Sequence, residues 1–247
     1  MIAKFKNAYT LKRMVEATKD IVIETNFRFD ENGFSLQAMD QSHVALVAVS
    51  LKLDAFAHYT CKEPLLVGVT VGNLHKILTC VDKEDEVEMT IASDKLHIKS
   101  QNVKDGKSSQ FCLNLTNIDS EEMTIPDFAY QVSVTMMTNE FQKMVKDLSL
   151  LGDTVNVVVG KPTISFSVTG EIGSGTIHLS ESERLILNAS NHVLNLNFGM
   201  RYLGMFCKSP FSDQLTLSIS NDMPLCLTYE NGTEAQVKFF LAPKIDD

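Results

Sequence analysis

Leu11-Lys12-Arg13-Met14-Val15 returns 130 residues further on as Phe141-Gln142-Lys143-Met144-Val145. Phe34-Ser35-Leu36-Gln37-Ala38 returns at the same offset as Ile164-Ser165-Phe166-Ser167-Val168. Val87-Glu88-Met89-Thr90-Ile91-Ala92-Ser93-Asp94 returns at an offset of 128 as Leu215-Thr216-Leu217-Ser218-Ile219-Ser220-Asn221-Asp222. Each match alone is weak, because strand alternation recurs by chance. Three matches in one order at nearly one offset define an internal repeat. The 247 residues therefore read as two homologous halves, 1–116 and 133–247. The stretch between them, 117–132, is acidic, carries Pro126, and reads as an interdomain connector long enough to have a function of its own.

Each half reads alike: a short amphipathic helix, alternating strands, a second short helix, more strands. Strand signals fall at 27–39, 44–53, 87–98, 111–115, 155–159, 164–168, 194–197, 215–219 and 225–229. Many alternate apolar and polar residues, as antiparallel strands with one buried face do. Turn signals such as Glu31-Asn32-Gly33 and Glu230-Asn231-Gly232 separate them. Few helices and many strands predict an α+β architecture, with helices packed on one face of antiparallel sheets.

Helices are expected at 8–19, 72–80, 138–149 and 198–208. At 100° per residue, Leu11, Met14, Val15 and Thr18 share one arc of the first, and Lys12, Arg13 and Lys19 lie on the other side. In the third helix Phe141, Met144, Val145 and Leu148 form the apolar stripe, opposite Lys143 and Lys146. In the fourth, Met200, Leu203 and Cys207 share an arc, while Arg201 and Lys208 stand two turns apart on another face. The second helix contributes Lys76, beside His75. A solvated charged face is the commonplace explanation for cations on any single helix, and Glu16, Asp20, Glu140 and Asp147 share these faces. The chain as a whole is acidic, with 22 Lys and Arg against 31 Asp and Glu and a net charge of -9. That balance argues against a general polyanion binder. It leaves room for a segregated basic surface if the repeated halves place all four helices on one side.

Other classes are excluded on composition. No apolar run approaches the roughly 20 residues that span a bilayer, and the N-terminus lacks the apolar core of a signal peptide. The five cysteines are widely spaced, with no C-x-x-C pair, which suits a reducing compartment and a role as small apolar core residues. No metal-ligand spacing occurs, and no cofactor is expected. Asp40, Ser42 and His43 lie close together, but no nucleophile elbow or ordered triad accompanies them, so an enzyme is disfavoured.

Gly33-Phe34-Ser35-Leu36-Gln37-Ala38-Met39-Asp40-Gln41-Ser42-His43-Val44-Ala45-Leu46-Val47 closely resembles the early strand-and-loop signature of the proliferating cell nuclear antigen family. So do Arg201-Tyr202-Leu203, Gly170-Glu171-Ile172-Gly173-Ser174-Gly175 and the tail Leu241-Ala242-Pro243-Lys244-Ile245-Asp246-Asp247. The resemblance runs over essentially the whole chain. It implies a DNA sliding clamp in the nucleus: a head-to-tail homotrimer whose ring encircles duplex DNA without sequence preference. The strand around Ser109, Phe111 and Leu113 would meet the strand around Gly175, Ile177 and Leu179 of the next subunit. The family's pore cations match Lys4, Lys12, Arg13, Lys19, Lys76, Lys143, Lys146, Arg201 and Lys208. An ATP-driven clamp loader would open the ring, since the chain has no Walker A motif.

The same resemblance implies a docking crevice for DNA polymerase, flap endonuclease, ligase and other proteins with a clamp-binding motif. Its matching residues are Met39, His43, Val44, Leu46, Met123, Ile125, Tyr130, Pro224, Ala242, Pro243 and Ile245. Taken without the family, Met39, Val44 and Leu46 read as ordinary core and His43 as a loop or core histidine. The connector departs from the commonest family pattern at Thr124 and at Phe128-Ala129. Lys161 matches the family's ubiquitin and SUMO acceptor, and by itself reads as a solvated loop lysine. A subunit of a heterotrimeric checkpoint-type clamp is the alternative within this fold. Such relatives diverge in the crevice and the tail, both of which this chain retains.

Overall fold

The computed structural model describes residues 1–102, 104–119, 125–126, 128–189, 193–208 and 211–244. The first run of elements is β1 (Ile2–Phe5), α1 (Tyr9–Thr18), β2 (Glu24–Asp30), β3 (Gly33–Met39), β4 (Ala45–Lys52), β5 (Phe56–Thr60), β6 (Leu65–Thr70), α2 (Val71–Thr79), β7 (Glu86–Ala92), β8 (Lys95–Asn102) and β9 (Lys107–Asn114). The second run repeats that order: β10 (Val132–Met137), α3 (Thr138–Ser149), β11 (Thr154–Gly160), β12 (Thr163–Gly170), β13 (Gly173–Ser180), β14 (Leu185–Ala189), β15 (Leu194–Gly199), α4 (Met200–Cys207), β16 (Gln214–Ile219), β17 (Leu225–Asn231) and β18 (Ala235–Leu241). A single turn of 3-10 helix, Leu53–Ala55, precedes β5.

Strand order repeats as well. In the first run β5-β1-β7-β8-β9 lie in sequence across one sheet, and β4-β3-β2-β6 are neighbours. In the second, β14-β10-β16-β17-β18 and β13-β12-β11-β15 follow the same plan. The pairings run antiparallel, as in Ile2 opposite Thr90, Val132 opposite Ile219 and Lys95 opposite Asn114. By packing, the chain divides into two compact units. Unit 1 comprises Met1–Gln41, Val47–Met123 and Asn231–Val237; unit 2 comprises Ser42–Leu46, Thr124–Glu230 and Lys238–Asp247.

The repeated sequence blocks are the core of each unit. In unit 1 α1 buries Leu11, Met14 and Val15 and packs against α2, which buries Val71, Leu74 and Leu78. In unit 2 α3 buries Phe141, Met144 and Val145 against α4, which buries Met200, Leu203 and Phe206. Phe34, Leu36 and Ala38 point inward from β3, as Ile164, Phe166 and Val168 do from β12. Burying each such aliphatic or aromatic side chain contributes about 1.5–3 kcal/mol. The alternation seen in the sequence is thus the alternation of core and solvent faces.

Several expectations change. Each half opens with a strand, β1 or β10, before its helix. The run 27–39 is two strands, folded back at Asp30 opposite Gly33. Gly33 adopts φ 128°, and a Cβ there would meet the Leu51 carbonyl oxygen at 2.2 Å, so the turn needs glycine. The run 87–98 is also two strands, turned at Ser93 and Asp94, both at positive φ (51° and 57°). Only Cys207 and Cys226 are buried; Cys61 is half-buried, and Cys80 and Cys112 are exposed. Burial pushes the Cys207 thiol up to about 12, so it stays protonated in the core.

Candidate nucleic-acid and partner-peptide interfaces

Apart from Lys4 on β1 and Lys12, the cations fall on the solvent side of the helices, but they are not alike. Lys76, Lys143 and Lys146 are exposed, and their side chains have no hydrogen-bond or ion-pair partner among the described residues. Arg201 is exposed and lies over the Tyr202 ring, 5.9 Å from its centroid. Lys208 is exposed at the end of α4. Lys4, on β1, bonds Glu86 at 2.8 Å, and that contact raises its ammonium pKa above the ordinary lysine value. Lys19 pairs with Asp20 at 3.0 Å, and Arg13 approaches Glu16 at 3.8 Å. Partly solvated pairs of this kind are worth about 0–1 kcal/mol, so a phosphate can displace the carboxylate.

Lys12 differs from all of these. Its Nζ donates to the carbonyl oxygens of Leu78 (2.9 Å) and Val81 (2.6 Å), at and just beyond the end of α2. The Leu78 carbonyl also accepts a longer bond from Val81 N (3.2 Å), so the lysine adds a second, charged donor at a helix C-terminus whose partial negative charge favours an ammonium. Gln142 stands at the equivalent repeat position, and its Nε2 donates to the Cys207 carbonyl at the end of α4 (2.6 Å). Each helix pair is therefore latched by one side chain from its first helix. Lys12 is a half-buried helix cap, and the expectation of a freely solvated lysine does not hold for it.

The candidate subunit-interface residues lie on two terminal strands. β9 ends one sheet order and β13 ends another, and each has eight residues. Ser109, Phe111 and Leu113 share the more buried face of β9; Gly175, Ile177 and Leu179 share that of β13. The other terminal strands are shorter. β5 and β14 have five residues, and β6 and β15 have six. The repeat equivalents of β9 and β13 are β18 and β4, and these are bonded. Ala242 N donates to Val44 O at 3.0 Å inside unit 2, and Lys52 N donates to Glu234 O at 2.8 Å inside unit 1.

Of the expected peptide-docking residues, unit 2 holds His43, Val44, Leu46, Ile125, Tyr130, Pro224, Ala242 and Pro243. All are half-buried except His43, which is exposed and held at φ 56°. The Ala242–Val44 bond joins the tail to the loop before β4. Tyr130 donates its hydroxyl proton to the Pro224 carbonyl (2.9 Å), joining the connector's end to the start of β17. Burial, then the neighbouring Cys226, pushes the Tyr130 phenol above its ordinary value, so it remains a donor at neutral pH. Met39 belongs to unit 1 and is 38% exposed. Met123 and Ile245 lie outside the described residues.

One participant was missed. Phe128 sits 5.9 Å from the Tyr130 ring and 6.2 Å from Phe240, linking connector to β18 through aromatic edges. Its spacing of two from Tyr130, two aromatic rings in one short connector, was the available signal. Lys161 is exposed, in the turn between β11 and β12.

A duplicated α+β domain, with two latched amphipathic helices per copy and cations on their solvent sides, is the architecture of a DNA clamp. The model for the N-terminal domain of proliferating cell nuclear antigen matches residues 1–123, and that for its C-terminal domain matches residues 124–244. Proliferating cell nuclear antigen of Chaetomium thermophilum is 34% identical over 255 aligned positions, covering 99% of this chain and 98% of the relative. The chain belongs to the proliferating cell nuclear antigen family. Membership supports a DNA sliding clamp of replication and repair, in a family that is not enzymatic.

Proposed function

We propose that the chain closes head to tail into a homotrimer, slides on duplex DNA in the nucleus as a polymerase processivity factor, and docks replication and repair proteins. The observation that carries this is the pair of eight-residue terminal strands, β9 and β13, whose repeat equivalents β18 and β4 are bonded. Unpaired edges of that length invite pairing with another chain. Two different edges on one chain give heterologous contacts, which form a closed ring when the rotation fits. The boundaries of this reading are an N-terminal clamp domain over 1–116, a connector over 117–132 and a C-terminal clamp domain over 133–247. Lys4, Lys12, Arg13, Lys19, Lys76, Lys143, Lys146, Arg201 and Lys208 face the DNA. Contacts to phosphate carry no sequence information, and topology replaces affinity as the means of staying bound.

Clients dock by short motifs whose aliphatic and aromatic anchors enter between the connector, Pro224 and the tail. DNA polymerase, flap endonuclease and ligase are the client classes, and a clamp loader opens the ring. Lys161 is a candidate acceptor for modification. Light scattering on the full chain tests the ring. The expected mass is three times 27.5 kDa without DNA. A monomer at every concentration refutes the homotrimer, and a trimer obtained only with dissimilar partner chains favours a checkpoint-type subunit.

A further inference from the structure

After its last strand each repeat sends a short segment across to the edge of its other set of strands. In unit 1 the chain leaves β9 at Asn114, and Thr116 N donates to Gly68 O on β6 (2.9 Å). In unit 2 it leaves β18 at Leu241, and Lys244 N donates to Asn197 O on β15 (2.7 Å). Thr116 and Lys244 are 128 residues apart, and Gly68 and Asn197 are 129 apart, both within the 128–130 range of the repeat offsets. The backbone bond is therefore duplicated.

The side-chain anchors are not duplicated. In unit 2 the segment supplies the donor: Lys244 Nζ reaches Thr154 Oγ1 at 2.6 Å. In unit 1 the sheet supplies it: Asn26 Nδ2, from β2, donates to the Ile118 carbonyl at 3.0 Å. Gly68 adds a steric condition, because a Cβ at this residue would meet the Thr116 carbonyl oxygen at 1.9 Å. The segment lies against β6 only because that residue has no side chain.

We propose that Asn26 and Gly68 are positioning residues for the connector. They fix the path of residues 116–118, where the connector begins, and so limit the reach of the chain that carries Ile125, Phe128 and Tyr130. Ile125 lies seven positions beyond Ile118, a stretch that spans at most about 25 Å when fully extended. Freeing Ile118 lengthens the chain left untethered before Ile125 and adds an ordering cost to every docking event. This inference rests on the reading of the connector as part of the client site.

The test compares wild type with Asn26→Asp, Asn26→Gln and Ile125→Ser in the full chain. Hydrogen exchange is followed by mass spectrometry, and calorimetry uses a peptide with spaced aliphatic and aromatic anchors. Asn26→Asp keeps the shape, removes the donor and sets a carboxylate against the Ile118 carbonyl. Exchange at 116–119 should rise about fivefold or more and peptide affinity should fall about threefold to tenfold, as expected for one lost part-buried bond. Amides of β2 and β6 should keep their wild-type rates, which a merely structural role would not allow. Asn26→Gln, which retains the amide donor, should recover most of both effects. Wild-type exchange at 116–119 in the Asp variant overturns the inference. So does wild-type peptide affinity in that variant while Ile125→Ser weakens binding. An Ile125→Ser variant that binds normally refutes the client-site reading itself.

Discussion

Lys12→Ala should destabilise the protein, whereas the neighbouring helix cations should be removable at little cost. The lysine donates two charge-assisted bonds, one to the Val81 carbonyl and one to the Leu78 carbonyl, which also accepts a longer bond from Val81 N. Hydrogen bonds to charged groups contribute about 1.5–3 kcal/mol each, and an ammonium at a helix C-terminus adds about 0.3–1 kcal/mol. The site is half-buried, so water replaces part of what is lost, and a net cost of about 2 kcal/mol follows. For a chain of this size that lowers the thermal midpoint by roughly 4–8 °C. Lys12→Gln is the decisive companion, because Gln142 performs the same task in the other repeat. It should recover most of the stability while still lacking the charge. Exposed Lys143→Ala should stay within about 0.5 kcal/mol of wild type. Urea titrations of the three variants measure the difference. If Lys12→Ala unfolds at the same urea concentration as Lys143→Ala, the latch contributes nothing and Lys12 is an ordinary surface cation.

Three further outcomes are expected. Replacing Lys76, Lys143, Lys146 and Arg201 together with Ala should leave the thermal midpoint unchanged and reduce the salt slope of DNA association by up to about 3–4, at roughly 0.9 per phosphate contact; an unchanged slope removes these residues from the DNA path. Phe111→Ala should loosen the ring by about 1.5–3 kcal/mol per interface, seen as subunit dissociation at higher concentration in sedimentation; identical dissociation places the interface elsewhere. Ile125→Ser should weaken an anchored peptide about tenfold or more, from the same burial energy, while the mass in solution stays that of wild type.

What the sequence reveals and what it hides divide along sequence distance. The repeat, the apolar stripes of α1, α3 and α4 and the pairing of Phe34, Leu36 and Ala38 with Ile164, Phe166 and Val168 are local periodicities, and a period survives translation into structure. β1 is only Ile2–Phe5, too short for alternation to stand out beside the helix that follows. β10 was readable, since Val132-Ser133-Val134-Thr135-Met136 alternates apolar and polar residues. The turn at Ser93 and Asp94 carries no glycine or proline, and aspartate tolerates the left-handed conformation well enough to hide it. The latch is hidden for a stronger reason. Lys12 and its acceptors lie 66 and 69 residues apart, and no helical wheel separates a cation facing solvent from one facing another helix end. The same holds for Asn26 and Ile118, 92 residues apart. Exposed Cys80 and Cys112 show the limit of composition: a residue type that favours cores does not specify which copy lies there.

The uneven pairing of the cations has a consequence for sliding. Lys4, Arg13 and Lys19 each have a carboxylate within 4 Å, and Lys12 is held by carbonyls, all of them in unit 1. Lys143 and Lys146 of unit 2 have no such partner among the described residues, and Arg201 stacks on an aromatic ring. A phosphate approaching Lys143 gains its attraction without displacing anything, while one approaching Lys19 must first separate it from Asp20. Exposed pairs cost little to break, so the difference per contact is below about 1 kcal/mol. Over several cations that difference favours the free set by a wide margin in residence time while leaving each contact weak enough to exchange. Lys76 of unit 1 is unpaired among the described residues, like Lys143 and Lys146, so the difference runs between individual cations. Reversing the asymmetry tests this directly. Asp20→Asn and Glu16→Gln should remove the carboxylates nearest Lys19 and Arg13, which also lies over the Tyr9 ring, and steepen the salt dependence of DNA association. They should also slow one-dimensional diffusion of the loaded ring in single-molecule tracking. Unchanged diffusion with a steeper salt slope would mean that these cations meet DNA only during loading.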